Sequence, residues 1–110
     1  MLIYKILRPS EWAEFDSSGI FMGSPDDKRD GFVHFSSRAQ VAATARRIFG
    51  EEPELVIVAM DTDTLGETVR WERSGSGTFP HVYGALSRDA VVAVHRVEGA
   101  DRIEAAIPEQ

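Results

Sequence analysis

A chain of 110 residues with 43% hydrophobic content can close one core but is too short to split into two, and no flexible linker divides it. Its formal net charge of -6 argues against an extended nucleic-acid surface or an anionic membrane as partner, so any phosphate site must be local. The absence of cysteine excludes disulfides, thiolate zinc sites and a cysteine nucleophile.

No apolar run approaches the roughly 20 residues that span a bilayer, and the apolar start is too brief for a secretory signal. A single cytoplasmic domain over residues 1–110, monomeric, is the expectation. Leu2 to Leu7 reads as a first strand, and Pro9-Ser10 offers a break and a cap for a short helix through Trp12 and Phe15 that Gly19 ends. The polar, turn-forming run from Gly23 to Asp30 reads as an exposed loop.

Phe32 to Phe35 forms a short strand whose alternation puts Phe32 and His34 on one face and Val33 and Phe35 on the other. Ser36 then shares the face of His34. Ser37-Arg38-Ala39-Gln40 fits a capping box, opening a helix that runs to Phe49 and stops at Gly50. Its free N–H groups would favour an anion beside His34 and Ser36. The segment with Arg38, Arg46 and Arg47 is the basic stretch of an acidic chain, read either as a local phosphate site or as a solvated helix face.

Pro53 to Asp61 is the longest apolar stretch and predicts a central strand covered on both faces, with Asp61 and Asp63 in the turn after it. Val69 to Arg73 reads as another strand, Ser74 to Thr78 as a flexible loop, and Ala90 to Val97 as the last strand. The tail from Ala105 to Gln110 is expected to fray.

Two blocks stand out: Asp30-Gly31-Phe32-Val33-His34-Phe35-Ser36 and Phe79-Pro80-His81-Val82-Tyr83-Gly84, each setting a histidine among aromatic rings. Imidazole titrates nearest neutral pH, so two such groups beside hydroxyls and stacking rings suggest a site for a polar, planar ligand. Glu72, beside Trp71, could be a partly desolvated acid or simply part of a charged edge strand. His34, His81 and Glu72 are the candidate catalytic residues, and Ser36, Arg38, Trp71, Phe79 and Tyr83 the candidate ligand-binding ones. His95 reads as an ordinary strand residue. No metal is expected, since the histidines lack ligand spacing and Asp26, Asp27 and Asp30 lack a calcium-loop pattern.

These blocks, with Ile3-Tyr4-Lys5-Ile6, Gln40 with Thr44, and Trp71-Glu72, resemble a small bacterial family known as domain of unknown function 952. The resemblance implies an α+β, ADP-ribosyltransferase-like fold, with mixed or antiparallel sheets, flanking helices and a cleft in which that superfamily binds NAD. Tyr4-Lys5 stands where the superfamily carries a first-strand histidine or arginine. The implied ligand is therefore an NAD- or ADP-ribose-type nucleotide, with ADP-ribosyl or RNA 2'-phosphate transfer as the implied chemistry. In the latter case His34 and His81 would act with an arginine among Arg38, Arg46 and Arg70. Two other classes remain open: a non-catalytic nucleotide- or protein-binding module, and a two-histidine phosphoesterase, of which only His34-Phe35-Ser36 supplies a His-x-Ser half.

Overall fold

The structure is a computed structural model and describes residues 1–75 and 77–109. In chain order the elements are β1 (Leu2–Leu7), α1 (Pro9–Ser18), β2 (Ile20–Phe21), α2 (Pro25–Asp30), β3 (Val33–His34), α3 (Arg38–Phe49) and β4 (Leu55–Asp61). There follow α4 (Thr62–Leu65), β5 (Val69–Ser74), β6 (Gly77–Val82), β7 (Leu86–Ser87), β8 (Val91–Val97) and α5 (Ile103–Ala106), with single 3-10 turns between some of them.

The longest apolar run becomes the middle of the molecule. β4 lies between β1 and β8, antiparallel to both, and six of its seven residues are buried. Its continuous apolar pattern arises because both faces of this sheet are covered, a pattern commoner in parallel sheets. On one face Ile3, Leu7, Val56 and Val58 pack with Trp12 and Phe15 of α1 and with Val33 and Val82 of the β3–β6 sheet. On the other, Tyr4, Ile6 and Ile57 pack with Val41 and Ala45 of α3 and with Ile103 and Ile107. The remaining sheets are the β2–β7 pair and the order β3–β6–β5, all antiparallel. The molecule is thus an α+β fold of antiparallel sheets with several helices. Among the described residues no helix is long and apolar enough to cross a membrane.

Three expectations need correction. The run from Gly23 to Asp30 is not an exposed loop, because its Ser24-Pro25 start nucleates α2. Ser24 Oγ accepts from the Asp27 N–H at 3.2 Å, the Asp27 carboxylate accepts from the Ser24 N–H at 2.8 Å, and Gly31, at φ 85°, ends the helix in the left-handed region. The predicted loop from Ser74 to Thr78 is largely strand: Ser74 pairs with Gly77 and Arg73 with Thr78, so β5 and β6 form a tight hairpin. Ser76 lies outside the described residues.

The tail is also packed as far as Ile107, which is buried. Gln110 lies outside the described residues. Arg38 holds this segment: its guanidinium donates to the Ile107 carbonyl at 3.2 and 2.8 Å and to the Glu104 carbonyl at 3.0 Å. Arg38→Ala is expected to cost about 1–3 kcal/mol, as charge-assisted bonds do, and to speed amide exchange at Ile107, whose N–H donates to the Ile103 carbonyl. Unchanged exchange there would mean that the apolar contacts alone hold the segment.

Candidate functional site

Strand pairing brings the two histidine blocks together. His34 of β3 is the register partner of His81 of β6, and directly opposed residues of an antiparallel pair share a face. Register across β6 and β5 sets Arg70 opposite His81 and Glu72 opposite Phe79 on that same face. Alternation sends Val33 and Val82 to the other face, into the core.

Four rings cluster on the histidine face. Phe32 stacks on His81 with centroids 3.9 Å apart and planes 21° apart, and contacts His34 at 4.7 Å and Tyr83 at 5.5 Å. The His34 and His81 rings meet edge to face at 5.7 Å. The Arg70 guanidinium lies 4.9 Å over the Tyr83 ring.

The two histidines differ in what holds them. His34 Nδ1 faces Asp27 Oδ1 at 2.5 Å and Nε2 faces Asp30 Oδ2 at 2.9 Å, so both ring nitrogens are occupied by carboxylates. His81 Nδ1–H donates to Glu72 Oε1 at 2.7 Å, and Nε2 makes no hydrogen bond among the described residues. Among the described residues no buried side-chain N or O atom lacks a partner, so the little exposure that His81 keeps includes Nε2. The Tyr83 hydroxyl donates to the same Glu72 oxygen at 2.7 Å. These bonds from Tyr83 and His81 hold the Glu72 carboxyl below its ordinary range, and the Tyr83 phenol is raised by Glu72 in turn.

Behind His34 lies a buried ion pair. Lys5 Nζ donates to Asp27 Oδ1 and Oδ2 at 3.1 and 3.0 Å, with both residues almost wholly buried. Asp27 Oδ1 also accepts the His34 backbone N–H at 3.1 Å. Burial acts to raise the Asp27 carboxyl, but the His34 hydrogen bond and the Lys5 ammonium outweigh it and hold the group far below the carboxylate range. Burial lowers Lys5, against the pull of Asp27. Strand phase turns Lys5 into the same face as Ile3 and Leu7, so a buried carboxylate is what that position needs.

Lys5 and Asp27 line a cleft of about 230 Å³ between β1, α2, β3, α3 and the β5–β6 hairpin. His34, Ser36, Phe79 and His81 all line it. Ser36 is buried and tied to β1 by reciprocal backbone bonds with Tyr4 at 2.8 Å. Gln40 opens α3 by accepting the Ser37 N–H at 3.0 Å and reaches across to the Thr78 carbonyl at 2.7 Å, fixing helix to hairpin.

Four expected residues sit elsewhere. Trp71, adjacent to Glu72 on one strand, points to the opposite face and is 43% exposed, away from His81. Arg38 is committed to the C-terminal carbonyls. Glu72 and Tyr83 stand behind His81 and do not line the cleft. Sequence reasoning did not place Lys5, Asp27 or Thr44 at the site, yet all three line it, as does Arg47, which the sequence offered with Arg38 and Arg46 as a local phosphate site. A lysine inside an apolar strand and a Ser-Pro-x-Asp helix start were the available signals for the first two.

The fold has counterparts among solved structures. The X-ray crystal structure of protein CC0527 from Caulobacter crescentus is 36% identical, over 94% of this chain and 98% of that one, with a TM-score of 0.83. The solution NMR structure of CC0527 is 39% identical over 88% of this chain and 83% of that one, with a TM-score of 0.76. Among curated proteins none matches. The family described as "Protein of unknown function (DUF952)" matches residues 6–94, a span that holds both histidine blocks, α2 and α3. The chain therefore belongs to the DUF952 family.

Proposed function

We propose that the cleft binds a nucleotide-type ligand and that His81, oriented by Glu72, is its acid–base group. The observation that carries this reading is the His81–Glu72 pair, in which Nδ1–H is fixed on the carboxylate at 2.7 Å while Nε2 stays free on a ring lining the cleft. A carboxylate on one imidazole nitrogen sets the tautomer, so that the other can take a proton from an incoming hydroxyl and return it. Glu72 would stabilise the imidazolium formed, and Tyr83 is a positioning residue that keeps Glu72 in place. His34, with both nitrogens engaged, acts as an anchor between sheet and α2. The two-histidine phosphoesterase reading gains no support, because it needs a free nitrogen on each ring.

NAD is the nucleotide implied by the family resemblance that the sequence carries. When bound it supplies an electrophilic ribose carbon with nicotinamide as leaving group. Phe79 offers a planar surface and Ser36 a hydroxyl in the cleft, groups that suit a nucleoside phosphate. A space of about 230 Å³ falls below the roughly 300–1,000 Å³ of pockets that enclose whole drug-sized ligands, so it takes one nucleoside-phosphate unit with the rest of a dinucleotide outside. ADP-ribosyl transfer and RNA 2'-phosphate transfer are the two chemistries that the resemblance implies for such a ligand.

An amide NMR titration with NAD, ADP-ribose and a 2'-phosphorylated RNA oligonucleotide tests the reading. Saturable shifts converging on His34–Ser36, Thr44 and Phe79–His81 are expected, with the Trp71 indole unmoved. If none of the three ligands moves these resonances, the nucleotide reading is wrong and a protein-binding module takes its place.

A further inference from the structure

The basic stretch of the sequence divides by function on α3. Arg38 is committed to the carbonyls of Glu104 and Ile107, and Arg46 to Asp101 at 2.9 Å and Glu104 at 2.7 Å, so both fasten the C-terminal segment. Arg47 is different. It is exposed, makes no hydrogen bond or ion pair among the described residues, and lines the cleft.

The cleft's charges single it out further. Its cationic side chains are Lys5, Arg29 and Arg47, against the carboxylates of Asp26 and Asp27. Lys5 is locked to Asp27 at 3.0 Å, and Arg29 is shared between Asp26 at 3.2 Å and Asp30 at 3.1 Å. The wall is therefore positive by one charge in a chain of net charge -6, and among the described residues Arg47 is the lining cation left without a counter-ion. An unpaired guanidinium at a cleft is a fork for a bidentate oxyanion, which a phosphate supplies. Two hydroxyls complete the set: Thr44, one turn before Arg47 on α3, and Ser36 both line the cleft, and neither hydroxyl is engaged among the described residues.

We propose that Arg47 is the anion anchor of this cleft, holding the phosphate of a nucleoside monophosphate unit with help from Thr44 and Ser36. The apolar side chains of Ile48 and Phe79 line the same space, so the expected ligand joins an oxyanion to a planar, apolar ring. This inference rests on the nucleotide reading above, and it adds which part of the nucleotide is recognised and by what.

The test compares AMP with adenosine by isothermal titration calorimetry on the wild-type chain and on Arg47→Ala, an exposed position whose substitution leaves the core intact. AMP should bind the wild type at least tenfold tighter than adenosine. Arg47→Ala should lose about ten- to a hundredfold in AMP affinity, the range of a charge-assisted hydrogen bond, and leave adenosine unchanged. The AMP preference should also shrink as salt rises. Equal binding of AMP and adenosine, or an Arg47→Ala chain that binds AMP as the wild type does, would overturn the anchor while the nucleotide reading stands. Failure of NAD, AMP and adenosine alike to bind the wild type would remove both.

Discussion

Asp27→Ala is expected to destabilise the protein by about 3–5 kcal/mol, the range found when one partner of a buried ion pair is removed. The whole stability of a domain this size is about 5–15 kcal/mol, so the variant should unfold at much lower urea. The reason lies in what is left behind. Lys5, 6% exposed, would lose both carboxylate oxygens and stay among Ile3, Leu7 and Val58, while His34 and the Ser24 N–H would lose their acceptors. The double variant Lys5→Met, Asp27→Ala should recover much of that loss, because an apolar side chain then fills the position. If the double variant is no more stable than the single, the cost comes from the α2 cap and not from the stranded ammonium.

The same carboxylate sets part of the acid limb of stability. Its folded value lies below the ordinary 3.8, so its contribution is fully present above that value and is lost as pH falls through the folded one. Wild-type stability should therefore decline as pH drops below about 4, and the Asp27→Ala chain should show a flatter decline over the same range.

The second large effect concerns His81. With the nucleotide identified by titration as substrate, His81→Ala should lower kcat by about 10²–10⁴-fold, the usual contribution of a positioned acid–base group, with a much smaller change in KM. Glu72→Gln should reproduce part of that loss with little effect on stability, since Glu72 is on the surface and its substitution spares the core. It should also alter the pH profile of kcat, which a purely structural role would not do. If His81→Ala weakens binding but leaves turnover per bound ligand intact, the chain is a nucleotide-binding module and His81 a contact residue.

Trp71 shows that part of the site was readable and misread. Adjacent residues on a strand face opposite ways, so Trp71 and Glu72 could never both have turned toward His81. The phase of Phe32 and His34 against Val33, by contrast, follows from the same rule and holds. α2 was also legible in principle. Its Ser-Pro start and Gly31 stop are local signals, but the polar composition of Pro25 to Asp30 masked them, because the one side chain that it buries is a carboxylate.

By itself the sequence determined what depends on near neighbours: the buried central strand from its apolar run, the start of α3 from Ser37 and Gln40, and the two faces of the first histidine block from strand phase. Only the tertiary structure decided the partners. Lys5 meets Asp27 across 22 positions, Arg46 meets Glu104 across 58, and His34 meets His81 through a register that no local pattern encodes. Which histidine nitrogen stays free, and which arginine stays unpaired, follows from those long-range pairings. Each such bond forms only once the packing of the apolar core has brought distant segments together, so the chemistry of the cleft is a consequence of the core.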